Sequence, residues 1–246
     1  MKLDLNADVG EGLKTDAALL RIVTSANIAC GRHAGDEATM RSTIELALAN
    51  KVGIGAHPGY ADRRNFGRVA LTLPSGEVTD LILGQIRELM ALASGKGGRV
   101  GHVKPHGALA NQAMRDPKLA EVIAGAIRAV DPNLVLLAPA GTEMAKAGQR
   151  AKLRVVEEVF ADRAYDDDGF LVPRDQPGAV LHDPGIIADR ILKWLASGRM
   201  TTNSGGSIAL VAQSVCVHGD TTEAVIIAAL LRQQLEEAGV VIGAFS

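Results

Sequence analysis

Aromatic side chains are scarce in this sequence, at 3% of 246 residues, so any core must be filled with aliphatic groups. Ala, Val, Ile and Leu are abundant enough to do so, which excludes a disordered chain. Cysteine is scarcer still. Cys30 and Cys216 cannot build a disulfide framework or a cysteine-based zinc site, and each reads as a buried thiol. Neither sign of charge dominates: 26 basic against 28 acidic residues, with no stripe of Lys and Arg, give no electrostatic footprint for nucleic acid. No apolar run approaches the roughly 18–20 residues of a membrane span. The opening Met1-Lys2-Leu3-Asp4-Leu5-Asn6 is acidic where a signal peptide needs its apolar stretch. The expectation is a cytoplasmic protein with no membrane or nucleic-acid partner. Also missing are the glycine-rich phosphate loop, the dinucleotide turn and the Gly-x-Ser-x-Gly nucleophile elbow, which disfavours nucleotides held by those devices.

What is present is an alternation of short apolar runs with helical patterns. Candidate strands are Leu3–Asp8, Ala26–Cys30, Gly53–His57, Arg99–Lys104, Leu134–Ala138, Arg154–Val159 and Val211–Val217, with a short last one at Val240–Ile242. Most are continuous in Val, Ile and Leu, as strands covered on both faces should be. Between them lie helix starts: Asp36 as a cap, Ser75 after Pro74, Asp116-Pro117, and Asp220 ahead of Thr221-Thr222-Glu223. Strand–helix alternation predicts a parallel sheet with right-handed crossovers, and seven strands suit a closed α/β barrel. With no linker or repeat, residues 1–246 read as a single (β/α)-barrel domain. The irregular stretches Pro58–Leu73 and Phe160–His182 are long enough to be functional loops.

Polar residues collect where these strands end. Asn6 and Asp8, Asn27 and His33, His57, Lys104 and His106, Glu158 and Arg163, and His218 all follow this rule. The C-terminal strand ends of an α/β barrel carry its active site, so these side chains are expected to share one concave face. Neutral imidazoles and carboxylates can hold a divalent metal, and His33, His57 and His218 with Asp8 could form such a site. The same groups can work as acid and base without one. Asp8 is the favoured general base, with Asn6 two residues earlier on the same strand face. His57 or His218 would serve the leaving group, and Lys104 would hold an anion. Asp162-Arg163 reads as a local ion pair, and His102 as a packing residue.

The motifs at these positions have a family likeness. Asp4-Leu5-Asn6-Ala7-Asp8, Ser25-Ala26-Asn27-Ile28-Ala29-Cys30-Gly31, His33-Ala34-Gly35-Asp36 and Gly55-Ala56-His57-Pro58-Gly59 come first. Phe66-Gly67-Arg68, Val103-Lys104-Pro105-His106-Gly107, Glu158-Val159-Phe160-Ala161-Asp162-Arg163, Val172-Pro173-Arg174 and His218-Gly219-Asp220 follow in order. Together the sequence resembles the LamB/YcsF family, whose characterised activity is that of the A subunit of the bacterial ATP-dependent 5-oxoprolinase. It departs from the family pattern at Arg32, usually Phe, and at Ala110, usually Tyr.

The resemblance implies a distorted (β/α) barrel related to the glycoside hydrolase/deacetylase group. It also implies opening of 5-oxo-L-proline to L-glutamate, with ATP as its magnesium complex and 5-oxoprolinase subunits B and C as partners. Asp8, His57, Lys104 and His218 would then be catalytic, and Asn6, Asn27, His33, His106, Glu158 and Arg163 would bind substrate. Activation of the lactam by ATP lessens the need for a Lewis acid, so no resident metal is expected. The competing readings are a stand-alone, metal-dependent amidohydrolase or deacetylase and a non-catalytic small-ligand carrier.

Overall fold

Seven parallel strands close on themselves in a computed structural model that describes residues 1–245. They are β1 (Lys2–Val9), β2 (Ser25–Ala29), β3 (Gly53–His57), β4 (Val100–Val103), β5 (Val135–Pro139), β6 (Arg154–Phe160) and β9 (Ser214–His218), and β9 pairs with β1 to complete the ring. Closure removes the exposed edges that an open sheet would leave. A two-residue strand, β10 (Val241–Ile242), pairs in parallel with the start of β1. The expected strands are all present, most within a residue or two of the predicted ends; Val211–Val217 starts three residues late, at Ser214.

Helices α1 (Asp16–Leu19), α2 (Glu37–Ala49), α3 (Ser75–Ser94), α4 (Gly107–Ala113), α5 (Pro117–Val130), α6 (Glu143–Arg150), α7 (Pro184–Ser197) and α8 (Ala224–Glu237) surround the barrel. Asp36 and Asp116 cap α2 and α5 by accepting from backbone N–H groups of the first turn. Asp220 does not cap α8, which starts four residues later; its carboxylate goes to two arginines at the site. The hairpin of β7 (Arg199–Thr201) and β8 (Ser207–Ala209) was not expected from the sequence. Its strands are three residues each, too short to show a period, although Asn203-Ser204-Gly205-Gly206 between them is a turn signal. Among the described residues no helix is long and apolar enough to cross a membrane.

The barrel interior is polar rather than filled by the branched aliphatics common in such folds. Asp4, Asn6, Ser25, Asn27, His102, Glu158 and Ser214 are all buried, and hydrogen bonds connect them across the ring. Ser25 and Ser214 donate to Asp4, while Asn6 donates to Glu158 and Ser214, and His102 to Asn27. Leu3, Leu5, Ala7 and Val9 of β1 lie on the opposite face, in the hydrophobic cluster shared with the helices. Strand β1 therefore alternates, unlike the continuous apolar runs expected of most strands. The reason is physical: both of its faces are buried, but one meets helices and the other a hydrogen-bonded interior.

Candidate active site

Register places the key side chains side by side. Asp8 of β1 aligns with Asn27 of β2 on one side and His218 of β9 on the other, while His57 of β3 aligns with Ala29. Lys104 follows β4 and reaches across the interior. Its Nζ lies 3.0 Å from Asp8 Oδ1, 3.1 Å from Glu158 Oε2, 3.3 Å from Asn6 Oδ1 and 3.0 Å from Cys216 Sγ. Burial opposes its charge, but Asp8 foremost, with Cys216 and Glu158, outweighs burial and holds the ammonium well above its usual range. Four partners use all three of its protons. Lys104 is thus the counter-charge of Asp8 and Glu158, rather than a free hook for a substrate anion.

Asp8 also accepts from Asn27 Nδ2 at 2.8 Å, and its other oxygen lies 3.3 Å from His57 Nε2 and 3.9 Å from His218 Nε2. Burial would raise its pKa, yet His57 and Lys104 together push it well below the carboxylate range. Asp8 is permanently ionised, and a weaker base than a free carboxylate. For Glu158 the balance reverses: burial outweighs Lys104 and its pKa rises. His218 is oriented from behind, with Nδ1 2.9 Å from Asp162 Oδ1, while its backbone N–H donates to the same carboxylate. Because the carboxylate fixes a proton on Nδ1, Nε2 carries the lone pair and faces Asp8.

The remaining imidazoles form a tight group. His57 and His106 place Nε2 and Nδ1 2.9 Å apart, and His33 stacks on His106 with ring centroids at 3.8 Å. Burial lowers the pKa of His33 to about 3, and burial with His57 drives that of His106 well down. A cavity of about 760 Å³ opens beside this group, lined by Asp8, His57, Lys104, Glu158 and His218, with Arg68 at its mouth. That volume suits a small-molecule ligand.

Of the predicted residues, Asp8, His57, Lys104, His106, Glu158, Arg163 and His218 line the cavity. Asn6, Asn27 and His33 stand behind them, fully buried, and hold the first group in place. Arg163 donates to the carbonyls of Ala179 and Val172 and so braces the long loop. The expected Asp162–Arg163 pair is not formed, because His218 takes Asp162. Sequence reasoning missed Glu11, Arg68, Arg174 and the orienting role of Asp162. Arg68 and Arg174 both donate to Asp220 at the cavity mouth, from the two irregular stretches expected to be functional. Each arginine follows a Gly or Pro in a quoted motif, and that turn context is the signal that could have found them. Ala110 lines the cavity; Arg32 is half-exposed and lies 3.8 Å from Glu88.

Known proteins are similar to this chain over its whole length. The LamB/YcsF family model matches residues 3–246. A relative from Nitrobacter winogradskyi, named as the A subunit of 5-oxoprolinase, is 48% identical over 252 residues, covering 100% of this chain and 99% of its own. The crystal structure of Lactam Utilization Protein from Thermus thermophilus has a TM-score of 0.92 at 40% identity, with 100% of both chains covered. A deacetylase solved with substrate, 12% identical with a TM-score of 0.53 over 98% of this chain and 86% of its own, shares the fold alone. Full-length agreement of family model, relative and crystal structure shows that the chain belongs to the LamB/YcsF family.

Proposed function

We propose that this chain is the A subunit of an ATP-dependent 5-oxoprolinase and works with subunits B and C to open 5-oxo-L-proline to L-glutamate. The names of its relatives support this reading, and one feature of the site carries it: an ionised Asp8 faces the free nitrogen of a carboxylate-oriented His218, inside a cavity sized for a small lactam. A lactam is a resonance-stabilised amide. Its cleavage needs an activated carbonyl, a positioned water and a protonated leaving nitrogen.

The residues at the mouth fit a phosphoryl group, since Arg68 and Arg174 offer two guanidinium groups there, but no glycine-rich phosphate loop accompanies them. ATP, when bound, supplies the phosphoryl group that activates the lactam oxygen, and the absent loop suits a chain that leaves part of the nucleotide work to its partners. This chain's own side chains then account for the hydrolysis. Asp8 orients the water, and His218 Nε2 takes its proton as the water oxygen bonds to the carbonyl carbon. Asp8 and Asp162 stabilise the resulting imidazolium. The imidazolium returns that proton to the ring nitrogen as the carbon–nitrogen bond breaks, which leaves an acyl phosphate; a second water then releases inorganic phosphate and frees L-glutamate. His57 turns Nδ1 to the Lys104 carbonyl and Nε2 toward His106, and serves as part of the frame.

The test is glutamate release from 5-oxoproline with magnesium ATP, by this chain with subunits B and C and by this chain alone. Turnover is expected only in the complete mixture, and Asp8→Asn there should lower kcat by about 10²-fold or more while KM changes far less, because the imidazolium loses a stabilising carboxylate and the water its orienting one. No turnover by the complete mixture, or full turnover without ATP, overturns the reading.

A further inference from the structure

Glu11, His33, His57 and His106 come from the ends of four consecutive strands, β1 to β4, and meet in one enclosed group. Their side chains are between 0% and 6% exposed. The hydrogen-bonding of two of them is fixed by partners that can only accept. His57 Nδ1 lies 2.6 Å from the carbonyl of Lys104, and His106 Nε2 lies 2.8 Å from the carbonyl of Phe66. Both of these nitrogens therefore carry protons, and the nitrogens left to bind a cation through their lone pairs are His57 Nε2 and His106 Nδ1, which face each other at 2.9 Å. Two lone pairs at that distance repel unless a cation lies between them.

We propose that the cation is a divalent transition metal, of which Zn²⁺ is the type, bound by Glu11, His33, His57 and His106. Three imidazoles and a carboxylate are a donor set this ion takes, and tetrahedral bonds of about 2.1 Å separate neighbouring donors by about 3.4 Å. Three of the six separations are 2.9 Å for His57–His106, 3.6 Å for His106–Glu11 and 3.7 Å for His33–Glu11, and all six lie within 4.8 Å. Donation of the distal ring N–H to a backbone carbonyl is the usual support of a metal-bound histidine, and His57 and His106 both have it. Independently, His33 is buried with neither ring nitrogen hydrogen-bonded among the described residues, and Nε2 points toward Glu11.

The backbone is shaped around this group. A Cβ on Gly59 would lie 2.8 Å from His33 Nδ1, and one on Gly67 would lie 2.8 Å from His33 Cβ. Phe66 adopts a left-handed conformation, φ 57°, rare for a bulky residue, and so delivers its carbonyl to His106. No consecutive pair in the sequence has metal-ligand spacing, because each donor is supplied by a different strand.

Metal content and binding on the isolated chain test the proposal without ATP, substrate or partner subunits, so they are separate from the test of the proposed reaction. After dialysis against chelator, Co²⁺ titration followed by visible absorption, with Zn²⁺ in competition, should show one tight equivalent per chain. The spectrum should show nitrogen and oxygen ligation and no thiolate-to-cobalt charge transfer. Glu11→Gln and His33→Gln, checked for folding by circular dichroism, should each weaken binding by at least about 10-fold. His218→Gln, which alters the neighbouring group of Asp8, Cys216 and His218 and none of the four proposed ligands, should retain it. If either ligand variant fails to fold, the wild-type spectrum alone still decides between the two groups. Absence of stoichiometric binding, a thiolate band, or loss of binding in His218→Gln rather than in folded Glu11→Gln and His33→Gln overturns the proposal.

Discussion

Lys104→Met should destabilise the chain by about 3–5 kcal/mol, the cost typical of stripping one partner from a buried ion pair. The size follows from the geometry. Lys104 Nζ sits 3.0 Å from Asp8 and 3.1 Å from Glu158, with its side chain 4% exposed. At an effective dielectric constant of about 20, each contact is worth about 5 kcal/mol of Coulomb attraction. Desolvation of the ammonium offsets several kcal/mol of that sum. The methionine keeps the apolar stem and removes the charge, leaving two buried carboxylates to face each other. The signs agree at pH 7. A lysine whose pKa is raised by folding contributes stability that is complete below its unfolded value of about 10.4, and an aspartate whose pKa is lowered contributes it above about 3.9. Urea unfolding of the isolated chain at pH 7, followed by circular dichroism, should show the midpoint falling by about 1–2 M, for a slope of about 2–3 kcal/mol/M. Glu158→Gln is the contrast. Its raised pKa means that burial of the anion already costs more than Lys104 returns, so its loss should cost less than about 1.5 kcal/mol. A Lys104→Met variant within about 1 kcal/mol of wild type, or Glu158→Gln as damaging as Lys104→Met, would refute this account of the charges.

Asp162→Asn should lower kcat of the reconstituted enzyme by about 10–10²-fold with little change in KM, because an amide in place of the carboxylate frees the ring of His218 to adopt the wrong tautomer; an unchanged kcat would remove Asp162 from the mechanism. His102 is pushed to about pKa 3 by burial, then by Lys104, so it stays neutral in the fold while the unfolded chain protonates near 6.5. Stability is therefore lost as pH falls below about 6.5, and His102→Gln should shrink the difference in unfolding free energy between pH 7.5 and 5.5 by about 1.4 kcal/mol; equal differences in both proteins would contradict the assignment.

The barrel was legible because its strands are local events. Gly53–His57 is an apolar run between a turn and a His-Pro-Gly corner, and its limits in the structure are those read from the sequence. The clustering of polar residues at strand ends was legible for the same reason, since a parallel barrel sends every such end to one mouth. What stayed hidden was the difference between groups that line the cavity and groups that support it. Asn6 and Asp8 share a strand face two residues apart, yet Asp8 reaches the cavity while Asn6 donates to Glu158 and Ser214 deeper in the barrel. Depth along the barrel axis depends on the stagger between strands, and no single strand encodes it.

Long-range pairing explains the other differences. Asp220 has the sequence context of a helix cap, and what draws it away is a pair of guanidinium groups from loops 152 and 46 residues distant in the chain. Asp162 stands next to Arg163 in sequence but faces His218, 56 residues away, because successive residues at a strand end point to opposite sides. Glu11 lies just past β1 in sequence, and only the convergence of β1, β2, β3 and β4 brings three histidines around it. In each case the residue type was visible and its partner was not. Chemistry that depends on convergence, such as the counter-charge at Lys104 or the donor set at Glu11, becomes readable only once strand register supplies the third dimension.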